Sequence, residues 1–99
     1  MQIVWTQEAL EKLAEMQEYI SKDNLKRAIT FTKFLIEQGE TLIDHPEMGR
    51  VVPEIGNESI RELIVKKYRI IYRLSGKRVE ILTVFEVHRL LRFEDIDNL

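Results

Sequence analysis

The candidates for binding or turning over an anion lie between positions 61 and 92: Arg61, Lys66, Lys67, Arg69, Arg73, His88, Arg89 and Arg92. A histidine among arginines has the makings of a general base, its pKa lowered by the neighbouring cations, while guanidinium groups stabilise the charge that builds on a phosphorane-like transition state. A metal-free ribonuclease needs such a set. Each residue also has a structural reading: Arg73 as cross-strand partner of Glu80, Lys66 and Lys67 as a solvated turn, Arg61 as the tie between a strand end and a loop. The second histidine, His45, precedes Pro46 at the negative end of a helix dipole and reads as structural.

Other chemistries find little support. The chain has no phosphate loop, zinc-spacing cluster or serine nucleophile elbow. It has no cysteine and two histidines, so a metal site would need carboxylates converging from separate elements. Neither a metal nor an organic cofactor is expected.

The elements that must position these residues are strands. Residues 61–92 alternate apolar and polar with period two and break at short polar turns, which predicts three consecutive antiparallel strands. A loop of Lys66 and Lys67 sets Val65 opposite Tyr68, Ile64 opposite Arg69 and Leu63 opposite Ile70. A loop at Gly76 and Lys77, or the four-residue loop of 75–78, sets Leu74 opposite Val79. The pairs that follow are Arg73 with Glu80, Tyr72 with Ile81, Ile71 with Leu82, Ile70 with Thr83 and Tyr68 with Phe85, like with like and the charged pair of opposite sign. One face is then continuously apolar, through Leu63, Val65, Tyr68, Ile70, Tyr72, Leu74, Val79, Ile81, Thr83 and Phe85, and calls for a cover of helices. The other carries Glu62, Ile64, Arg69, Ile71, Arg73, Glu80, Leu82 and Val84. That face is too apolar for water and too charged for a core, which marks it as a binding surface.

Upstream, Gln2–Trp5 reads as an edge strand. Thr6 is placed to cap a helix carrying Ala9, Leu10, Leu13, Met16 and Ile20 at helical spacing, with Glu8 in its first turn. Asp23 or Asn24 caps a second helix running to about Asp44, with Ala28, Phe31, Leu35 and Leu42 on one line and Ile29, Ile36 and Ile43 on the next. Phe34 falls off both lines. Gly39 costs roughly 1 kcal/mol relative to alanine inside a helix, which points to close helix packing there. Residues 48–54 show little pattern, and 93–99 read as at most one helical turn.

Ninety-nine residues, 44% of them apolar, make one domain spanning 1–99. No run approaches the roughly 18 apolar residues of a membrane span, and no basic region followed by an apolar one opens the chain. A cytoplasmic protein without membrane association is expected. Charge is uneven: residues 60–92 hold nine Lys/Arg against three acids, residues 1–59 six against eleven, and the remainder three acids. A local anionic partner fits this distribution better than long-range attraction to a polyanion.

The order of short signatures resembles the RelE/ParE superfamily of type II toxin-antitoxin toxins. They are Trp5 with Ala9 and Leu13, Tyr19 and Ile20, Asp23 and Asn24 with Ala28, Leu42 with Pro46, Gly49 and Arg50, Pro53 and Glu54, IREL at 60–63, YRIIYR at 68–73, VEIL at 79–82, and then His88. The resemblance implies an α+β fold, an N-terminal strand and helical hairpin packed on a small antiparallel sheet. It also implies a cognate antitoxin that wraps the toxin into a hetero-oligomer. The surface such a partner would cover is the mixed one: Ile64, Arg69, Ile71, Arg73, Leu82, Val84 and Arg92. RelE-like members cut messenger RNA on the ribosome, and that activity would fall to Arg61, Arg69, His88 and Arg89. Of these, Arg69 matches the superfamily's strand arginine, and Arg89 or His88 the basic residue after the last strand. The C-terminal tyrosine of RelE has no counterpart, since Phe93, Glu94 and Asp95 stand there. ParE-like members poison DNA gyrase by protein contact, and the long helices, the connection through Gly49, Arg50, Pro53 and Glu54, and the acidic balance are closer to that branch. A third possibility is a binding module that pairs with an antitoxin and has no toxicity of its own.

Overall fold

Thr6 is where the strand and helix layers are joined. Its backbone is extended (φ −69°, ψ 162°) and its Oγ1 accepts the amide of Ala9, so β1 (Gln2–Trp5) turns directly into α1 (Gln7–Ser21). The same oxygen lies 2.8 and 2.9 Å from the carbonyls of Ile81 and Leu82, which anchors the start of α1 to the sheet. Asn24 caps α2 (Leu25–Glu40) by accepting the amide of Arg27, and a 3-10 turn over Thr41–Ile43 tightens its last residues, so the helical stretch stops at the expected place. The computed structural model describes residues 1–87.

β2 (Arg50–Val51), β3 (Ile60–Val65), β4 (Tyr68–Ser75) and β5 (Arg78–Glu86) complete a five-stranded sheet in the order β1-β5-β4-β3-β2. The α+β class and the hairpin-on-sheet arrangement hold. The sheet is mixed, however: β3, β4 and β5 form the antiparallel meander, and β1 adds to it in parallel with β5. β2 pairs antiparallel with β3 through two residues that show no strand periodicity of their own.

Register at the β3–β4 turn follows the expected pairs, Val65 with Tyr68, Ile64 with Arg69 and Leu63 with Ile70. Along β4 and β5 it follows them from Ser75 and Arg78 as far as Tyr72 with Ile81, then shifts by one at a bulge. Ile71 therefore pairs with Thr83 rather than Leu82, Ile70 with Val84 rather than Thr83, and Tyr68 with Glu86 rather than Phe85. The cause lies in residues 81–85, ILTVF, which do not alternate and so cannot specify register by pattern.

The bulge redistributes side chains between two cores. On the helix side Ala9, Leu13, Leu35 and Leu42 bury Val65, Ile70, Tyr72, Val79, Ile81 and Val84. Val84, expected on the outer face, belongs to this core, whereas Phe85, expected in it, joins Ile60, Ile71 and Leu82 on the opposite side. That second cluster is sealed by the chain itself. Residues 52–59 fold across it, with Val52 and Ile55 packed on the sheet and the turn closed by the amides of Ile55 and Gly56 on the Val52 carbonyl, Gly56 at φ +69°. Ile71 and Leu82 do face away from the helices, but at 0% and 8% exposure they are not open to a partner.

Gly39 proves to be a point of close approach to a strand residue, not to a second helix. A Cβ there would lie 2.7 Å from the ring of Trp5.

Candidate functional site

Adjacent strand positions bring Arg69 of β4 beside Glu62 of β3, and the loop over the second cluster adds Glu54. The Arg69 guanidinium donates from Nε and Nη2 to both carboxylate oxygens of Glu62 (3.1 and 3.2 Å). It also pairs with Glu54, through Nη1 at 2.9 Å and Nη2 at 3.2 Å. Arg50 of β2 approaches the same Glu62 at 3.6 Å from the rim. Arg69 is 5% exposed and Glu62 1%. Burial opposes the Arg69 charge, but the bond to Glu54 and the field of Glu62 outweigh it and hold its pKa above the ordinary arginine value. With its fork occupied by two carboxylates, this arginine clamps the 52–59 loop to the sheet.

Arg61 sits elsewhere. Alternation along β3 puts it on the face opposite Glu62, and hence opposite Arg69. There Nη1 donates to the Gly49 carbonyl at 3.0 Å and Nε to the Glu58 carbonyl at 3.2 Å. The Tyr72 hydroxyl completes this node, accepting the Gly49 amide (3.0 Å) and donating to the Pro46 carbonyl (2.8 Å). Burial raises the Tyr72 pKa, partly offset by the Gly49 bond. A side chain at Gly49 has no room, since a Cβ would meet the Glu62 carbonyl at 2.5 Å and the Tyr72 hydroxyl at 2.7 Å.

The described residues therefore do not gather the sequence-derived catalytic set. Arg61 and Arg69 lie on different faces and are both committed to structural bonds, while His88 and Arg89 lie outside the described residues, as does Arg92. Of the surface expected for a partner, Ile71, Leu82 and Val84 are interior, Arg69 is enclosed, and Arg73 is bonded to Glu80 at 2.9 Å, as its cross-strand position requires. Ile64 remains exposed, at 47%. Among the described residues no group of three histidines or carboxylates is placed to hold a metal ion.

The sequence reading missed both carboxylate partners of Arg69. Glu62 was legible as a neighbour once the β3–β4 register was known, since Glu62 stands opposite Ile71 and one diagonal from Arg69. Glu54 stood in a family signature but gave no sign of pairing with Arg69, because a loop has no period from which its position over a sheet can be derived.

A family model described as "ParE toxin of type II toxin-antitoxin system, parDE" matches residues 3–90. The chain belongs to the ParE toxin family. A curated relative from Sinorhizobium fredii, named "Putative toxin Y4kP", is 37% identical over 90 residues, 88% of each chain. A solved structure described as the chromosomal ParDE TA system from P. aeruginosa superimposes with a TM-score of 0.76 at 22% identity, covering 89% of this chain and 97% of that one. The family match over 3–90 takes in both helices and the mixed sheet.

Proposed function

We propose that this ParE-family toxin arrests growth by poisoning DNA gyrase through protein contact, and that a cognate antitoxin neutralises it in the cytoplasm by forming a hetero-oligomer with it. The observation that carries the choice of target is the closure of Arg69. An endonuclease reading needs that guanidinium to meet a scissile phosphate, yet it is buried under residues 52–59 with two carboxylates in its fork. A phosphate entering there would have to displace Glu54 and face the buried charge of Glu62, an exchange that costs several kcal/mol. A toxin that acts by surface contact makes no such demand. For the antitoxin, the accessible part of the mixed face is the fringe around Ile64, continuing past the Arg73 and Glu80 pair at the far end of β4.

The test pairs two assays on the same preparation: supercoiling by purified gyrase, and primer extension on translated messages. Inhibition of supercoiling with intact messages, relieved by the partner protein, is the expected result. Message cleavage that is abolished by Arg69→Ala or His88→Ala would reverse the assignment. Inhibition of neither would leave a binding module.

A further inference from the structure

The end of the molecule where the β3–β4 turn meets the start of α2 plays no part in the reading above. Two adjoining recesses open there, of about 580 and 570 Å³, and they share Arg27, Phe31 and Lys66 as a common wall. The first continues to Lys26 and Phe34 and has no carboxylate in its lining. The second continues to Lys67, Tyr19 and Tyr68, with Asp23 its one acid. Among the described residues none of Lys26, Arg27, Lys66 and Lys67 forms an ion pair. These cations stand on a body whose first 59 residues are acidic on balance.

Two details show that cations and rings are set against each other. Lys66 occupies the left-handed region at φ +57°, which a side chain with a Cβ adopts at a cost. From that position its ammonium lies 5.9 Å from the centre of the Phe34 ring. Phe31, in the shared wall, stands 5.5 Å from Tyr68 of the second recess, the rings tilted at 49°. Tyr19 projects beside them at 73% exposure. Burial, then Glu86 and Tyr19, push the Tyr68 phenol pKa up, away from neutral pH.

The two recesses thus set the partly buried rings of Phe31, Phe34 and Tyr68 and the exposed ring of Tyr19 beside cations without ion pairs, and the shared wall of Arg27, Phe31 and Lys66 makes the pair a track for consecutive units. A duplex hides its base faces in the stack, and an acidic peptide would leave the rings without a flat partner. We propose that this end of the molecule binds a short single strand of nucleic acid, its phosphates on Lys26, Arg27, Lys66 and Lys67 and its bases against Phe31, Phe34 and Tyr19. This contact is additional to the gyrase reading and independent of it.

Fluorescence anisotropy of a labelled oligothymidylate of about eight nucleotides, titrated with the full chain at low salt, tests the proposal. Saturable binding is expected, with log affinity falling against log salt at a slope of about −2 to −3, since three or four neutralised phosphates contribute roughly −0.7 each. The double variant Lys26→Glu with Arg27→Glu, both on exposed turns of α2, should weaken binding at least tenfold. Tyr19→Ala should weaken it about fivefold with the slope unchanged, because stacking carries no counterion. Lys77→Glu, at the distant β4–β5 turn, should change nothing. Thermal unfolding of each variant establishes that it is folded. Absence of binding at low salt, an equal loss from Lys77→Glu, or equal affinity for a duplex or for a polyglutamate peptide of matched length would each overturn the proposal. Because binding is read on the isolated chain without gyrase, its outcome is separate from that of the supercoiling assay.

Discussion

The two faces of this sheet are closed by different physics. On one, α1 and α2 lay aliphatic stripes over Val65, Ile70, Tyr72, Val79, Ile81 and Val84, a contact made of area and shape. On the other, the cover is a stretch without regular structure. It contributes Val52 and Ile55 to a small cluster, and Arg69 holds it down with one carboxylate on the sheet and one on the loop. A helix can cover a sheet with side chains alone because its backbone bonds are internal. A loop cannot, and here its position depends on a charged clamp and on two amides folded back on Val52. The clamp also removes from view the arginine that a nuclease reading of the chain most needs.

The comparison can be broken first on the helix face. Leu35→Ala should cost about 3–5 kcal/mol, as a fully buried side chain in a close-packed core, with no change in denaturant slope. Urea unfolding followed by circular dichroism measures it. Next comes the clamp: Glu62→Ala should cost about 3 kcal/mol by leaving buried Arg69 under-neutralised. Pairing it with Arg69→Met should recover a large part of that loss. A double variant as damaged as the sum of the singles would show that charge pairing is not what joins these residues.

Val52→Ala should cost about 1–2 kcal/mol, and it sharpens the contrast by being local. Amide exchange should rise at Ile60 and in the loop while protection within α2 stays near its global value. An equal rise in both would make the two faces one cooperative unit.

The smallest effect belongs to Tyr72, whose ring lies in the helix-side core and whose hydroxyl reaches Gly49 and Pro46. Its folded-state pKa is raised, so its contribution is complete below the unfolded tyrosine value near 10 and is lost as pH rises through the folded value. Tyr72→Phe should lower stability at pH 7 by about 1 kcal/mol and flatten the decline above pH 10. A steep alkaline decline that persists in the variant would assign it to another group, Tyr68 being the next with a raised pKa.

Much of this arrangement could be read from residue order. Thr6 and Asn24 capped helices where their hydroxyl and amide chemistry required, and Lys66 with Lys67 turned β3 into β4 in the expected register. Arg73 found Glu80. These features succeed because capping, turn geometry and alternation are local, each decided within a few residues. The bulge at Ile71 was not readable, because ILTVF presents apolar side chains in either register and only the competing demands of two cores choose between them. The parallel placement of β1 was not readable either, since four residues carry no direction until a neighbour is known.

Residue order alone gave both helices, four of the five strands, most of the helix-facing core and the membership of a toxin family, because periodicity and ordered signatures are properties of the chain; β2 and the exchange of Val84 for Phe85 in that core were beyond it. Tertiary structure alone decided that Arg69 is a fastener and not an open cation, that Ile71 and Leu82 are interior, and that Lys26, Arg27, Lys66 and Lys67 share one end of the molecule. Each of those depends on where a patternless loop or a distant turn comes to rest, and no local rule of residue type or spacing contains that distance.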